Sequence, residues 1–269
     1  MNEIDLFLYI NLADRTDRNK DMLDVLLNQL KLPQNKVERV EAIRKSHGFT
    51  GCTDSHLKAV NLAIASGVRN VCIFEDDFML VESPKDFNRR VSEAWKEIKN
   101  EYDVMFLAMT PIQLEKTNIF GFHRVIAGLA MPAFIVSRTY LPKLKAIYEI
   151  ALKEKKPHDM ITQRFQPGNK WFGFYPVIAR QRPGFSDIEK RFTDYGYLDV
   201  KGSMLKDRTD IFRDNTSTGS RSMNTQSDNR RSDNNSKTEN MLGSESNKNK
   251  KIHIDLLFGS LHLNLGEKN

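Results

Sequence analysis

The sequence predicts an α/β fold: a mainly parallel central sheet with flanking helices. Three observations predict it. Short, wholly apolar runs such as "FLYI", "VCIF" and "VMFLAM" recur along the chain up to about Val200, and strands of that composition are buried on both faces. Segments with apolar residues three and four apart separate those runs, the spacing of helices that cover a sheet. Helix start and stop residues stand at the junctions, including Ser83-Pro84 and Gly67. With 269 residues, 39% of them hydrophobic, the chain is long enough to bury a sizeable core.

Taken in order, residues 4–12 ("IDLFLYINL") read as a strand. Residues 17–30 read as a helix with Met22, Leu23, Leu26, Leu27 and Leu30 on one stripe. "VERVEAI" is a short strand. "TDSHLKAVNLAIASG" is a helix with Thr53 as N-cap and Gly67 closing it. "VCIF" is a buried strand. "SPKDFNRRVSEAWKEIKN" is a helix capped by Ser83 with Pro84 at its first position. "DVMFLAM" is the next strand, and "HRVIAGLAMPAFIVS" reads as two short ones. Ser137 then caps a helix to about Lys153, "HDMITQRF" forms a short helix, "KWFGFYPVIARQ" a strand or hairpin, and "RPGFSDIEKRF" a loop.

Composition breaks after that. Residues 213–251 contain no aromatic residue and consist mainly of Ser, Asn, Asp, Thr, Lys and Arg. Such a segment buries too little apolar surface to offset its ordering entropy, which predicts a disordered polar tail. Beyond it, Ile252, Ile254, Leu256 and Phe258 alternate up to Gly259-Ser260, and Leu261, Leu263 and Leu265 alternate after it. That pattern predicts a C-terminal β-hairpin turning at Gly259-Ser260, with Phe258 opposite Leu261 and Ile254 opposite Leu265. The domain organisation is therefore 1–200 as the main α/β domain, 201–251 as a low-complexity linker and 252–269 as the hairpin tail.

Two cysteines, Cys52 and Cys72, give no disulfide framework and no metal-ligand spacing, which fits a reducing compartment. No signal peptide opens the chain and no apolar run approaches the ~20 residues that span a bilayer, so a cytoplasmic location is expected. The net charge of +6 favours anionic partners: a nucleotide, a membrane surface touched peripherally, or a nucleic acid. No nucleic-acid-binding signature accompanies the charge, and phosphate-bearing small molecules account for it equally well. Oligomeric state is not legible.

The residues that carry chemistry begin with "CIFEDDF". Glu75, Asp76 and Asp77 follow a buried strand directly, between apolar neighbours on both sides. In parallel sheets ligands bind beyond the carboxyl ends of strands. Glu75 and Asp77 share a side of an extended backbone, which would aim two carboxylates at one point. A hard divalent cation, Mn2+ or Mg2+, takes such oxygens together with those of a diphosphate. The plain reading is a polar strand end.

Upstream stand "INLADRTDR" and "GFTGCTDSHLKAVNLAIASG". With the "EDD" strand at its distance, this ordered trio resembles the family 25 glycosyltransferases, which include lipopolysaccharide and collagen galactosyltransferases. The resemblance covers roughly residues 4 to 195, is weakest between 111 and 126, and does not reach the polar tail. It implies a GT-A-type nucleotide-sugar transferase fold and an inverting enzyme. The donor would be a UDP-sugar carrying galactose or glucose, and the acceptor a glycan, lipopolysaccharide-type or protein hydroxyl.

Carried over by position, the resemblance makes Asp77 the direct metal ligand. Glu75 would ligate through water or touch the ribose, and Asp76 would lie beside them. Asn11, Arg15 and Arg18 would face the nucleotide, since guanidinium groups grip phosphate oxygens in pairs. His56 is either a donor-site residue or a core histidine. Asp159, before a short helix, would be the base, or simply its N-cap, and His158 a further metal ligand. Ser186 and Asp187 would contact donor or acceptor, or Ser186 would simply cap a short helix whose third position is Glu189, the favoured reading. "KWFGFYP" would be core or a sugar-stacking surface. A catalytically inactive glycosyltransferase-like binding module and a metal-dependent phosphohydrolase are the competing readings.

Overall fold

The computed structural model describes residues 1–98 and 101–194 with their side chains, and the backbone of residues 253–256 and 259–262. The chain divides into two compact units, Met1–Arg213 and Asp214–Asn269. The first is the α/β sheet the sequence predicts. Its six strands are β1 (Leu6–Asn11), β2 (Val37–Glu41), β3 (Asn70–Glu75), β5 (Val104–Lys116), β6 (Phe122–Ser137) and β7 (Trp171–Phe174), ordered β2-β1-β3-β6-β5-β7. Five run one way and β6 alone runs counter, pairing antiparallel with β3, β5 and β7.

Alternation along the strands divides the core in two. Phe7, Tyr9, Cys72 and Phe74 point to one face, where they meet Met22 of α1 (Thr16–Leu23) and Phe87, Val91 and Trp95 of α3 (Pro84–Ile98). Leu8, Ile10, Val71 and Ile73 point to the other. There they pack against Ala59, Val60 and Ala63 of α2 (Gly48–Ser66) and Leu144, Ile147 and Tyr148 of α4 (Leu141–Glu154). Each strand has apolar residues at both parities because helices cover both faces. Beyond α4 lies the short α5 (His158–Gln163).

Several boundaries differ from the sequence reading. Helix α1 continues as a wider π-helical turn, Asp24–Gln29. Helix α2 starts at Gly48, so Thr53 is not its N-cap; the Thr53 hydroxyl donates to the Phe49 carbonyl inside the helix (2.9 Å). Gly67 does close it, in the left-handed conformation (φ 68°). Ser83 caps α3 as expected, accepting from the Asp86 amide at 3.1 Å. Helix α4 begins four residues after Ser137, with Tyr140 at its N-cap.

The two short strands expected after His123 are one long strand, β6, bent at Ala130 (φ 53°). "KWFGFYPVIARQ" splits across a cis Tyr175–Pro176 bond into β7 and β8 (Ala179–Gln181). Strand β8 pairs with β4 (Phe78–Leu80) rather than with β7, so the segment is not a hairpin. Trp171 and Phe174 are buried core residues. The loop expected at "RPGFSDIEKRF" is instead a hairpin of β9 (Gly184–Ser186) and β10 (Arg191–Thr193). Ser186 accepts from the Glu189 amide (3.1 Å) in its turn, not at a helix start.

In the second unit, β11 (His253–Leu256) and β12 (Gly259–His262) form an antiparallel hairpin. The chain reverses between Leu256 and Gly259, not at Gly259-Ser260. Ile254 therefore lies opposite Leu261 instead of Leu265, four residues out of the expected register. The polar stretch expected to be disordered lies outside the described residues. No helix among the described residues is long and apolar enough to cross a membrane.

Candidate active site

The site lies beyond the carboxyl ends of β1 and β3, which stand side by side in parallel with Ile10 opposite Glu75. Because β6 runs counter, its bend at Ala130 lies past the same ends, just beyond the Phe74–Ala133 pair. Glu75 continues the parity of Val71 and Ile73, so its side chain turns to the α2 face. There His56 Nε2 lies 2.9 Å from Glu75 Oε1, and the Cys52 thiol 3.9 Å from the same oxygen. Gln181 of β8 donates to Glu75 Oε2 at 3.4 Å.

The strand ends at Glu75 and the chain turns at Asp76 and Asp77. The expected two-residue alternation therefore stops before it can place Asp77. Asp77 comes near Glu75 through the turn instead, and each acid has its own partners. Asp76 accepts from Asn11 Nδ2 at 2.7 Å and from Arg18 at 2.8 Å. Asp77 Oδ2 is 3.4 Å from the same guanidinium, while Asp77 Oδ1 is buried with no hydrogen-bond partner. Arg39 donates to Asn11 Oδ1 at 2.9 Å and so fixes which way that amide faces.

Asp159 stands in the first turn of α5. Its carboxylate is pinned by two backbone amides, Ala130 at 3.1 Å and Met160 at 2.8 Å. The strand bend and the acid hold each other, and the charge of Asp159 reaches both Glu75 and Cys52. His158, one residue earlier, packs its ring 4.4 Å from that of His56.

The structure thus brings Asn11, Arg18, His56, Glu75, Asp76, Asp77 and Asp159 to one end of the sheet. Arg15 stands at their edge: its carbonyl accepts from Asn11 Nδ2 (3.1 Å), and its guanidinium shares the Phe185 carbonyl with Arg18 (3.4 and 2.9 Å). Its guanidinium pairs with Asp17 (2.9 Å) and with Asp187 of the β9–β10 turn (2.6 Å). Cys52, Gln181 and Arg39 join the site unannounced. Only Cys52 had a legible signal, its four-residue spacing from His56 on a helix.

Electrostatics follow from the crowding. Burial, then the charge of Glu75, pushes the Asp77 carboxyl up to about 8, against the pull of Arg18. Burial, then Asp76 and Asp159, pushes Glu75 up to about 7. Burial pulls His56 and His158 down to about 3, and it pushes the Cys52 thiol well above its ordinary value. Glu75, Asp76 and Asp77 share the one guanidinium of Arg18, and Asp159 adds its negative charge at Glu75, so the site is short of positive charge. The buried Asp77 oxygen left without a partner is a ligand of the kind a hard divalent cation takes.

No known family profile matches the chain, and no curated protein matches it. Among solved structures, a glycosyltransferase involved in glycosylation of the major capsid of PBCV-1 aligns over 65% of this chain and 92% of its own, at 8% identity and TM-score 0.44. The mannose-1-phosphate geranyltransferase of Thermus thermophilus aligns over 67% and 74%, at 9% identity and TM-score 0.41. A UDP-glucose pyrophosphorylase complexed with UDP-glucose aligns over 63% and 72%, at 10% identity and TM-score 0.39. No function is carried over from likenesses this distant.

Proposed function

We propose that the chain is a metal-dependent, inverting glycosyltransferase that moves a hexose, galactose or glucose, from a UDP-sugar to a hydroxyl. The observation that carries this is the charge-deficient cluster at the carboxyl end of β3, with one buried Asp77 oxygen left unpartnered. The family 25 resemblance of the same residues supports it. Asp77 would hold Mn2+ or Mg2+, with Glu75 beside it. Such an ion, when bound, stabilises the negative charge that builds on the leaving diphosphate.

The chain's own residues supply the rest. Asn11 and Arg18, both bonded to Asp76 beyond the strand ends, would face the nucleotide, and Arg18 has the fork that matches phosphate oxygens. Asp159 is the base: held by two amides, it keeps lone pairs free to take the acceptor hydroxyl proton. As the acceptor oxygen bonds to the anomeric carbon, the bond from that carbon to the diphosphate breaks. Its electron pair leaves with UDP, and the proton goes to Asp159.

The test is transfer by the purified chain from a panel of UDP-hexoses, with manganese, to glycan and hydroxylysine-peptide acceptors. Asp77→Ala should lower turnover by about 100-fold or more, as loss of a main electrostatic stabiliser does. Full activity in Asp77→Ala would refute the metal assignment. Manganese-dependent UDP binding without turnover on any acceptor would mark an inactive binding module instead.

A further inference from the structure

Behind the three acids lies a second donor set of different chemistry. Cys52 and His56 occupy one face of α2 at a four-residue spacing. Glu75 reaches them from the end of β3, and His158 from the start of α5. One ligand atom from each, a sulfur, two imidazole nitrogens and a carboxylate oxygen, lies within 4.8 Å of all the others. Both imidazoles are buried, His56 at 0% and His158 at 6% exposure, and His158 Nε2 and His56 Nδ1 have no hydrogen-bond partner. Unpartnered polar atoms at that depth are costly unless something else satisfies them.

We infer that Cys52, His56, Glu75 and His158 form a site for a borderline-soft divalent ion of the zinc class. Thiolate and imidazole ligands select Zn2+ over Mg2+ or Mn2+, and four ligands of these kinds match its tetrahedral preference. Charge closes as well: the Cys52 thiolate and Glu75 together balance a doubly positive ion between two neutral rings. Binding releases the Cys52 proton, and the Glu75 proton where that carboxyl still holds one, to solvent. The Glu75 side chain is 19% exposed, which leaves a way in.

The site is distinct from the Asp77 site and meets it only at Glu75. Its Oε1 faces Cys52 and His56, while Oε2 faces Gln181. The zinc assignment stands whether or not the chain transfers hexose.

The experiment uses the purified full chain, stripped of metal and titrated with Zn2+ against a chromophoric chelator, and separately with Co2+. One equivalent of zinc per chain is expected. The cobalt form should show the intense bands of a tetrahedral ion together with thiolate-to-cobalt charge transfer. Cys52→Ser should remove the charge-transfer band. His158→Gln should weaken zinc at least about tenfold, the low end of the loss even for residues that only orient a ligand. Asp77→Asn should bind zinc as the parent does, which separates this site from the manganese site. A weak octahedral cobalt spectrum from the unaltered chain would overturn the assignment, with no variant needed. So would folded Cys52→Ser and His158→Gln variants that hold zinc like the parent.

Discussion

Asp159 shows how one side chain joins fold and chemistry. Its two oxygens accept from the amides of Ala130 and Met160, so the carboxylate fixes a non-glycine residue at φ 53° while being fixed by it. An amide in its place keeps one carbonyl oxygen for these bonds but brings an NH2 that faces a donor and cannot take a proton. Asp159→Asn should leave UDP-sugar binding within a few-fold of the parent and lower transfer by about 100- to 10,000-fold, the range for loss of a positioned base. Isothermal titration with UDP beside a turnover assay separates the two. Equal losses of both would show a structural role, and unchanged transfer would remove Asp159 as base.

Among the elements, α2 is placed by a backbone contact that side-chain pattern does not announce. A Cβ built on Gly51 would lie 2.5 Å from the Ile43 carbonyl oxygen, so helix and incoming loop touch main chain to main chain. Ser55 staples the same contact, donating to the Gly51 carbonyl and accepting from the Ile43 amide. Gly67, at the other end, needs only its left-handed backbone; a Cβ there meets nothing within 4 Å. Gly51→Ala must shift a whole helix, as overpacking does, and should cost about 1–3 kcal/mol. Gly67→Ala should cost about 1 kcal/mol of backbone strain. Urea unfolding of both variants gives the order; Gly67→Ala as the costlier change would show that α2 is not seated on that contact.

The elements also mark where sequence reading stops. Strands β1, β3 and β5 were legible because burial on both faces leaves wholly apolar runs within them, residues 6–10, 71–74 and 104–109. The acids after β3 were legible because polarity resumes abruptly. The direction of β6 was not, since antiparallel and parallel core strands share one composition. Yet it is that reversal, with the bend at Ala130, that sets Asp159 against the acids. The β9–β10 hairpin was hidden for a different reason. Its position depends on distant ion pairs, Arg15 and Arg44 to Asp187 and Arg18 to the Phe185 carbonyl, which no local pattern encodes.

Over the whole molecule, the buried titrating groups determine how stability follows pH. Asp77 and Glu75 titrate far above their unfolded values of about 4. The stability they contribute is complete below about pH 4 and is lost as pH rises through neutrality, because the native state binds more protons over that span. His56 and His158 act the other way. Their folded values sit below the unfolded value of about 6.5, so they cost stability as pH falls through about 6.5 and on toward 3. The two pairs offset each other in mild acid. Above about pH 6.5 the carboxylates set the sign, and toward pH 8.5 the buried thiols of Cys52 and Cys72, also held protonated in the folded state, add to it in the same direction. Metal-free protein should therefore lose melting temperature on going from about pH 6.5 to about 8.5, and Asp77→Asn should flatten that slope. Manganese with UDP should invert it, because a cation competes with the protons that the acids hold at low pH. At a hundred times its dissociation constant the ligand adds about 2.7 kcal/mol, which in a unit of this size raises the melting temperature by about 5–10 °C. Melts at several pH values, with chelator or with manganese and UDP, read both slopes. Parallel slopes with and without the ligands would mean that the acids at the end of β3 do not meet the cation.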